Sequence, residues 1–102
     1  MPNLIRVAGT ADVADGAGIV ATANGKEYAV FKTNGTFHVI DNACLHRGGP
    51  LGEGELDGDT VTCPWHGWQY NITTGACVTK DGIKVACYDV TVEGGDVKIA
   101  LP

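Results

Sequence analysis

Two short segments of this 102-residue chain carry residues suited to metal-ligand chemistry: Cys44-Leu45-His46 and Cys63-Pro64-Trp65-His66. Each sets a thiol and an imidazole within three or four positions of one another, and the sixteen residues from Arg47 to Thr62 separate the pairs. A finger-type zinc site pairs cysteine with cysteine and histidine with histidine. Here each segment holds one of each, the order expected of two similar loops that face one another. If each loop gives its cysteine to one metal atom and its histidine to another, the natural occupant is a two-metal cluster with one Cys₂ iron and one His₂ iron. On the residues alone two other readings stay open. The same four side chains could hold a single zinc or iron, or Cys44 and Cys63 could be ordinary small hydrophobes beside surface histidines.

Loops that present ligands must be held by regular structure. Apolar residues alternate along most of the chain and no stretch sustains a helical period, so helices should be few and short. The pattern predicts an all-β, antiparallel sandwich or barrel. Leu4–Val7, Gly18–Thr22, Glu27–Phe31 and Thr36–Ile40 read as strands, the last three joined by hairpin turns at Asn24-Gly25 and Asn34-Gly35. Asp41 to Gly54, with four glycines and a proline, reads as loop. Glu55-Leu56 and Thr60–Thr62 flank the turn Asp57-Gly58-Asp59, and the second of these strands runs straight into Cys63. Trp68–Asn71 leaves the second ligand loop as a strand, which makes the two loops the tips of a small subdomain over about 41–74. Ala86–Val92 and Asp96–Leu101 read as closing strands. The whole, residues 1–102, is read as one domain.

Composition narrows the function classes. Twelve acidic residues against seven basic give a net charge of −5, which opposes binding to nucleic acid. The same acidity favours steering toward a basic patch on a protein partner, although solubility alone would also account for it. No apolar run approaches the roughly 20 residues needed to span a bilayer, and the first residues lack the basic and apolar regions of a secretory signal. No twin-arginine pair occurs. The sequence is therefore read as a cytoplasmic, soluble protein without a membrane association.

The residues around the ligands, Cys44-Leu45-His46-Arg47-Gly48-Gly49-Pro50-Leu51 and Cys63-Pro64-Trp65-His66-Gly67-Trp68-Gln69-Tyr70, resemble the paired cluster-binding loops of Rieske-type ferredoxins. The resemblance implies a Rieske-like antiparallel β fold and a [2Fe–2S] cofactor held by Cys44, His46, Cys63 and His66. It also implies a one-electron carrier with no turnover of its own. Two neutral imidazoles in place of two thiolates leave the oxidised centre less negative, which places Rieske potentials at about −150 to +300 mV instead of near −400 mV. Imidazoles that lose a proton in the oxidised state would lower the potential at alkaline pH. Glycines 48, 49 and 67 would let backbone amides approach the sulfurs, and Pro50 and Pro64 would stiffen the loops. Plain turn-making explains these glycines and prolines equally.

High-potential members of the family carry a loop-to-loop disulfide and a serine near a bridging sulfide. The matching positions here are Gly49 and Trp65 for the cysteines and Trp68 for the serine, whereas Tyr70 stands where the family has a tyrosine. Fewer hydrogen bonds to sulfur imply a potential in the lower part of the range. Cys77 and Cys87 are expected as two buried thiols in preference to a disulfide, and His38 as a packed strand residue and not a ligand. Trp65 and Trp68 could form an apolar docking rim; if one is core, it is Trp68.

The family implies transient partners: a flavin-dependent NAD(P)H reductase upstream and a terminal oxygenase downstream, docking near the His46 and His66 edge of a monomer. The alternative is a small Rieske subunit of a larger reductase such as nitrite reductase. A terminal oxygenase itself would need a further site of two histidines and a carboxylate, for which this chain has neither length nor histidines.

Overall fold

The computed structural model describes residues 3–23, 25–42, 49–65, 67–79 and 82–101. Alternation along the chain becomes ten strands: β1 (Asn3–Gly9), β2 (Ala17–Ala23), β3 (Lys26–Thr33), β4 (Thr36–Asp41), β5 (Glu55–Asp57), β6 (Thr60–Thr62), β7 (Gln69–Asn71), β8 (Cys87–Tyr88), β9 (Val90–Glu93) and β10 (Asp96–Leu101). Short 3₁₀ turns lie at Thr10–Asp12 and Leu51–Glu53, the second within the stretch expected to be loop. Three antiparallel sheets result: an outer sheet ordered β1-β10-β9, a middle sheet β2-β3-β4-β8 and a small sheet β5-β6-β7.

The hairpin turns fall where the sequence places them. Thr33 pairs with Thr36, leaving Asn34 (φ 51°) and Gly35 (φ 78°) as the two central residues. Both angles are positive, as the type I′ turn between twisted strands requires, and asparagine and glycine are the residues that accept them. Ala23 likewise pairs with Lys26 across a two-residue turn, of which Asn24 lies outside the described residues.

Strand β3 is the centre of the molecule. Tyr28 and Val30 point into one core and Ala29 and Phe31 into the other, all four of them buried. The first core joins the middle sheet to the outer one through Val7, Ala8, Val97 and Ile99. The second joins it to the small sheet through Leu51, Val61, Tyr70 and Ile72. Packing in this second core continues past residue 74 to Cys77, Ile83 and Val85. Each large apolar side chain buried in this way contributes about 1.5–3 kcal/mol, so both cores draw on the same four-residue run.

The closing region departs from the reading of Ala86–Val92 as one strand. Cys87 and Tyr88 pair with Ile40 and Val39 of the middle sheet, whereas Val90–Glu93 pair with β10 of the outer sheet. The chain changes layer at Asp89, whose carbonyl accepts from the Ala100 amide at 3.1 Å. Alternation is continuous across the change because both halves are half-buried strands; only their partners differ.

Candidate metal centre

The second ligand loop grows out of the β6–β7 hairpin. Thr62 pairs with Gln69 at its base, and the Cys63 amide donates to the Trp68 carbonyl at 2.7 Å, closing the loop at the candidate cysteine itself. The Gln69 side-chain amide also donates to Thr62 Oγ1 at 3.3 Å. Cys63 is held in the second core with 2 % of its surface exposed, and Tyr70 beside it is fully enclosed. Trp65 is half exposed and Trp68 packs partly buried against the core, the alternative to a rim formed by both rings.

The first ligand loop leaves β4 and returns at the 3₁₀ turn. Its base is closed by a residue that the sequence reading passed over. Asn42, almost fully buried, accepts the Leu51 amide on its backbone carbonyl at 2.8 Å and the Gly52 amide on its side-chain Oδ1 at 2.9 Å. The only local signal for such a clasp is an asparagine at the end of an apolar strand, a residue type prone to bond nearby backbone.

The two loops meet at Gly49. A Cβ built on Gly49 would lie 2.8 Å from Cys63 Sγ, 3.0 Å from Trp65 Cγ and 3.1 Å from Trp65 Cβ. Only glycine brings the backbone this close to the cysteine sulfur. The same contact places positions 49 and 65 opposite one another, the two positions assigned above to the family's disulfide; the cross-linked cysteines' Cβ atoms would need about 3.5–4.5 Å. Cys44, His46 and His66 lie outside the described residues. The donor chemistry described here, a buried thiol at the junction of two loops with backbone pressed against its sulfur, fits a sulfide cluster.

The remaining candidates resolve simply. His38, on β4, pairs with Phe31 and is half-buried. Cys77 is buried, and neither it nor Cys87 is in a disulfide. Cys87, expected to be buried, is exposed at the middle sheet's edge strand, where its Sγ donates to the Thr73 carbonyl at 3.3 Å.

A polar group braces β4 just before the first loop. Tyr88 donates its hydroxyl to Asp41 Oδ1 at 2.6 Å, and the Lys26 ammonium lies 2.8 Å from the same oxygen and 3.0 Å from the Tyr88 hydroxyl. Lys26 also sits 5.5 Å above the Tyr28 ring, against which Tyr88 packs edge-on at 5.2 Å. Burial by itself raises the Asp41 carboxyl, but the Lys26 and Tyr88 hydrogen bonds outweigh it and hold the group below the usual carboxylate value. The hydrogen bond to Asp41 pushes the Lys26 ammonium well up.

An all-β domain in which Gly49 presses on the buried Cys63 sulfur where two loops meet is a setting suited to an iron–sulfur electron-transfer domain. The chain belongs to the Rieske [2Fe–2S] domain family, whose model matches residues 3–89. It is 29% identical over 103 residues to the ferredoxin component of the naphthalene 1,2-dioxygenase/salicylate 5-hydroxylase systems of a Ralstonia species, covering 97% of this chain and 96% of that one. Among solved structures it is similar to the Sphingomonas yanoikuyae B1 ferredoxin, with TM-score 0.89, 34% identity and coverage of 98% and 100% of the two chains. A chain of the complex of reduced oxygenase and oxidized ferredoxin in carbazole 1,9a-dioxygenase matches with TM-score 0.83 at 28% identity, covering 95% and 92%.

By contrast, a match to the oxygenase component of Rhodococcus rhodochrous 3-ketosteroid-9-alpha-monooxygenase, 43% identical over 61 residues, spans only 16% of that protein. The likeness to a putative nitrite reductase small subunit, at 14% identity and TM-score 0.81, is one of fold alone. The cofactor is therefore a [2Fe–2S] cluster, and the chain is a ferredoxin, a one-electron carrier and not itself an enzyme.

Proposed function

We propose that Cys44 and Cys63 hold one iron of the cluster and His46 and His66 the other, within a single domain spanning residues 1–102. When bound, the cluster supplies a single one-electron couple. The chain's residues enclose Cys63, press Gly49 onto its sulfur and brace both loops at their bases. The observation that carries the reading is the Gly49–Cys63 contact, which joins the two loops that the ligand spacing pairs.

In this reading the carrier takes electrons from a flavin-dependent NAD(P)H reductase and delivers them to a terminal oxygenase. It works as a cytoplasmic monomer and docks transiently near His46 and His66. End-to-end similarity to ferredoxin components of dioxygenase systems supports it. Trp65, half exposed in the second loop, offers an apolar contact at that edge. Glycine at 49 and tryptophan at 65 and 68 supply neither the disulfide nor the serine hydroxyl of high-potential relatives, so the midpoint potential belongs in the lower part of about −150 to +300 mV.

Electron paramagnetic resonance of the dithionite-reduced protein tests the ligand assignment. A rhombic signal of low average g supports mixed Cys/His ligation, and its loss in Cys63→Ser with retained β-sheet circular dichroism supports the role of that thiol. A colourless protein with one zinc per chain would overturn the assignment. Stable co-purification with a large flavin or haem subunit would replace the free carrier by a reductase subunit.

A further inference from the structure

The two ligand loops are closed in different ways. The second closes through a backbone hydrogen bond at the base of a regular hairpin. At the base of the first, among the described residues, Asn42 accepts two hydrogen bonds, one on its backbone carbonyl and one on its side chain. We propose that Asn42 is a positioning residue of the metal centre, holding the two ends of the first ligand loop in the arrangement that seats Gly49 on the Cys63 sulfur.

The geometry gives that clasp its reach. Asn42 grips Leu51 and Gly52, the first two residues of the 3₁₀ turn. That turn is wedged from two sides. A Cβ on Gly52 would lie 2.4 Å from the Ile19 carbonyl oxygen on β2, and one on Gly54 would lie 2.1 Å from the Thr62 carbonyl oxygen on β6. Leu51, wholly buried, fills the core beneath. The loop's return is thereby fixed both to the middle sheet and to the strand that delivers Cys63. Its departure from β4 is tied to that return by the two Asn42 hydrogen bonds. Of these, the bond from Gly52 needs the side-chain oxygen and is lost with it. Its loss also leaves a buried amide without an acceptor, which structures avoid. Nearby, the Lys26–Asp41–Tyr88 group holds the end of β4, so slack introduced at Asn42 falls on the loop and not on the sheet.

The inference rests on the cluster being held by Cys44, His46, Cys63 and His66, and its test separates the two. Wild-type protein without the low-g signal defeats the ligand assignment and not the clasp. With the signal present, the cluster-loaded wild type, Asn42→Ala, Asn42→Asp and Val97→Ala are compared by hydrogen–deuterium exchange at Gly52, by resonance line shape and by the rate of iron loss to a chelator. Asn42→Ala is expected to speed Gly52 exchange about tenfold, broaden the signal and speed iron loss several-fold. Asn42→Asp keeps an acceptor oxygen and is expected to keep amide protection and line shape together. Val97→Ala opens a cavity in the opposite core and is expected to lower the melting temperature without altering the signal. If Asn42→Ala does not fold, Asn42→Asp decides. A line shape that follows Gly52 protection supports the clasp, and a line shape independent of it overturns the proposal.

Discussion

At the residue scale the centre depends on side chains that are absent as much as on those present. Gly49 contributes no atoms beyond its backbone, yet a methyl group there would lie 2.8 Å from Cys63 Sγ, closer than van der Waals contact allows. Gly49→Ala is accordingly expected to reduce cluster content or shift the g values while far-ultraviolet circular dichroism stays that of the native protein. An unchanged resonance spectrum at full iron content would contradict the contact. The proposed ligand residues stand out in sequence because few other roles place a thiol and an imidazole so close together twice. Asn42 does not, since an asparagine at a strand end has many uses and only the folded chain brings Leu51 and Gly52 to it. Cys87 misleads for a related reason: a cysteine in an apolar run looks buried, whereas its strand lies at a sheet edge.

At the element scale the structure turns on β3, the strand buried on both faces. Phe31→Ala removes a ring fully enclosed in the second core, and such truncations cost about 3–5 kcal/mol. Chemical denaturation should register that loss, and iron release should accompany it at lower denaturant than in wild type. The brace at the end of β4 has a pH signature. Asp41 titrates below its unfolded value, so its contribution is present above the unfolded value near pH 4 and is lost as pH falls through the folded one. Lys26 titrates above its unfolded value, so its contribution is present below that value and is lost only as pH rises through the folded one. The pair is half exposed and worth under about 1 kcal/mol. The difference in melting temperature between wild type and Lys26→Met should therefore be small at pH 7 and vanish toward pH 3; a difference that grows on acidification would refute the assignment. Strands and hairpins were legible because alternation and turn residues are local signals. The break at Asp89 was not, because the change from β4 to β10 as partner is a fact about residues distant in sequence.

At the scale of the whole molecule, charge and layering decide how the carrier meets others. Net charge of −5 should speed encounter with a basic acceptor at low salt and lose that advantage as screening shortens its range. Stopped-flow reduction of a basic haem protein is expected to slow roughly tenfold between about 10 mM and 300 mM salt, and a salt-independent rate would assign the acidity to solubility. Acidic character was plain from composition. The three-layer arrangement, with one sheet serving two cores, was not, since alternation along β3 gives way to four consecutive buried residues and leaves both faces equally apolar.

Strands β4 and β8 are adjacent in the middle sheet, and the Asp41 amide donates to the Ala86 carbonyl at 3.0 Å. The chain thus departs for the metal-binding end and comes back one ladder step away, so everything between Asp41 and Ala86 is topologically a single excursion from a β-hairpin. Such a cassette can be exchanged between homologous carriers without rethreading any other strand. The face it must match combines Ala29, Phe31 and Ile40 in the core with the β2 backbone at Ile19, against which Gly52 is pressed. A chimaera that swaps the excursion alone should take its potential from the donor, while its stability follows how well that face fits the newcomer.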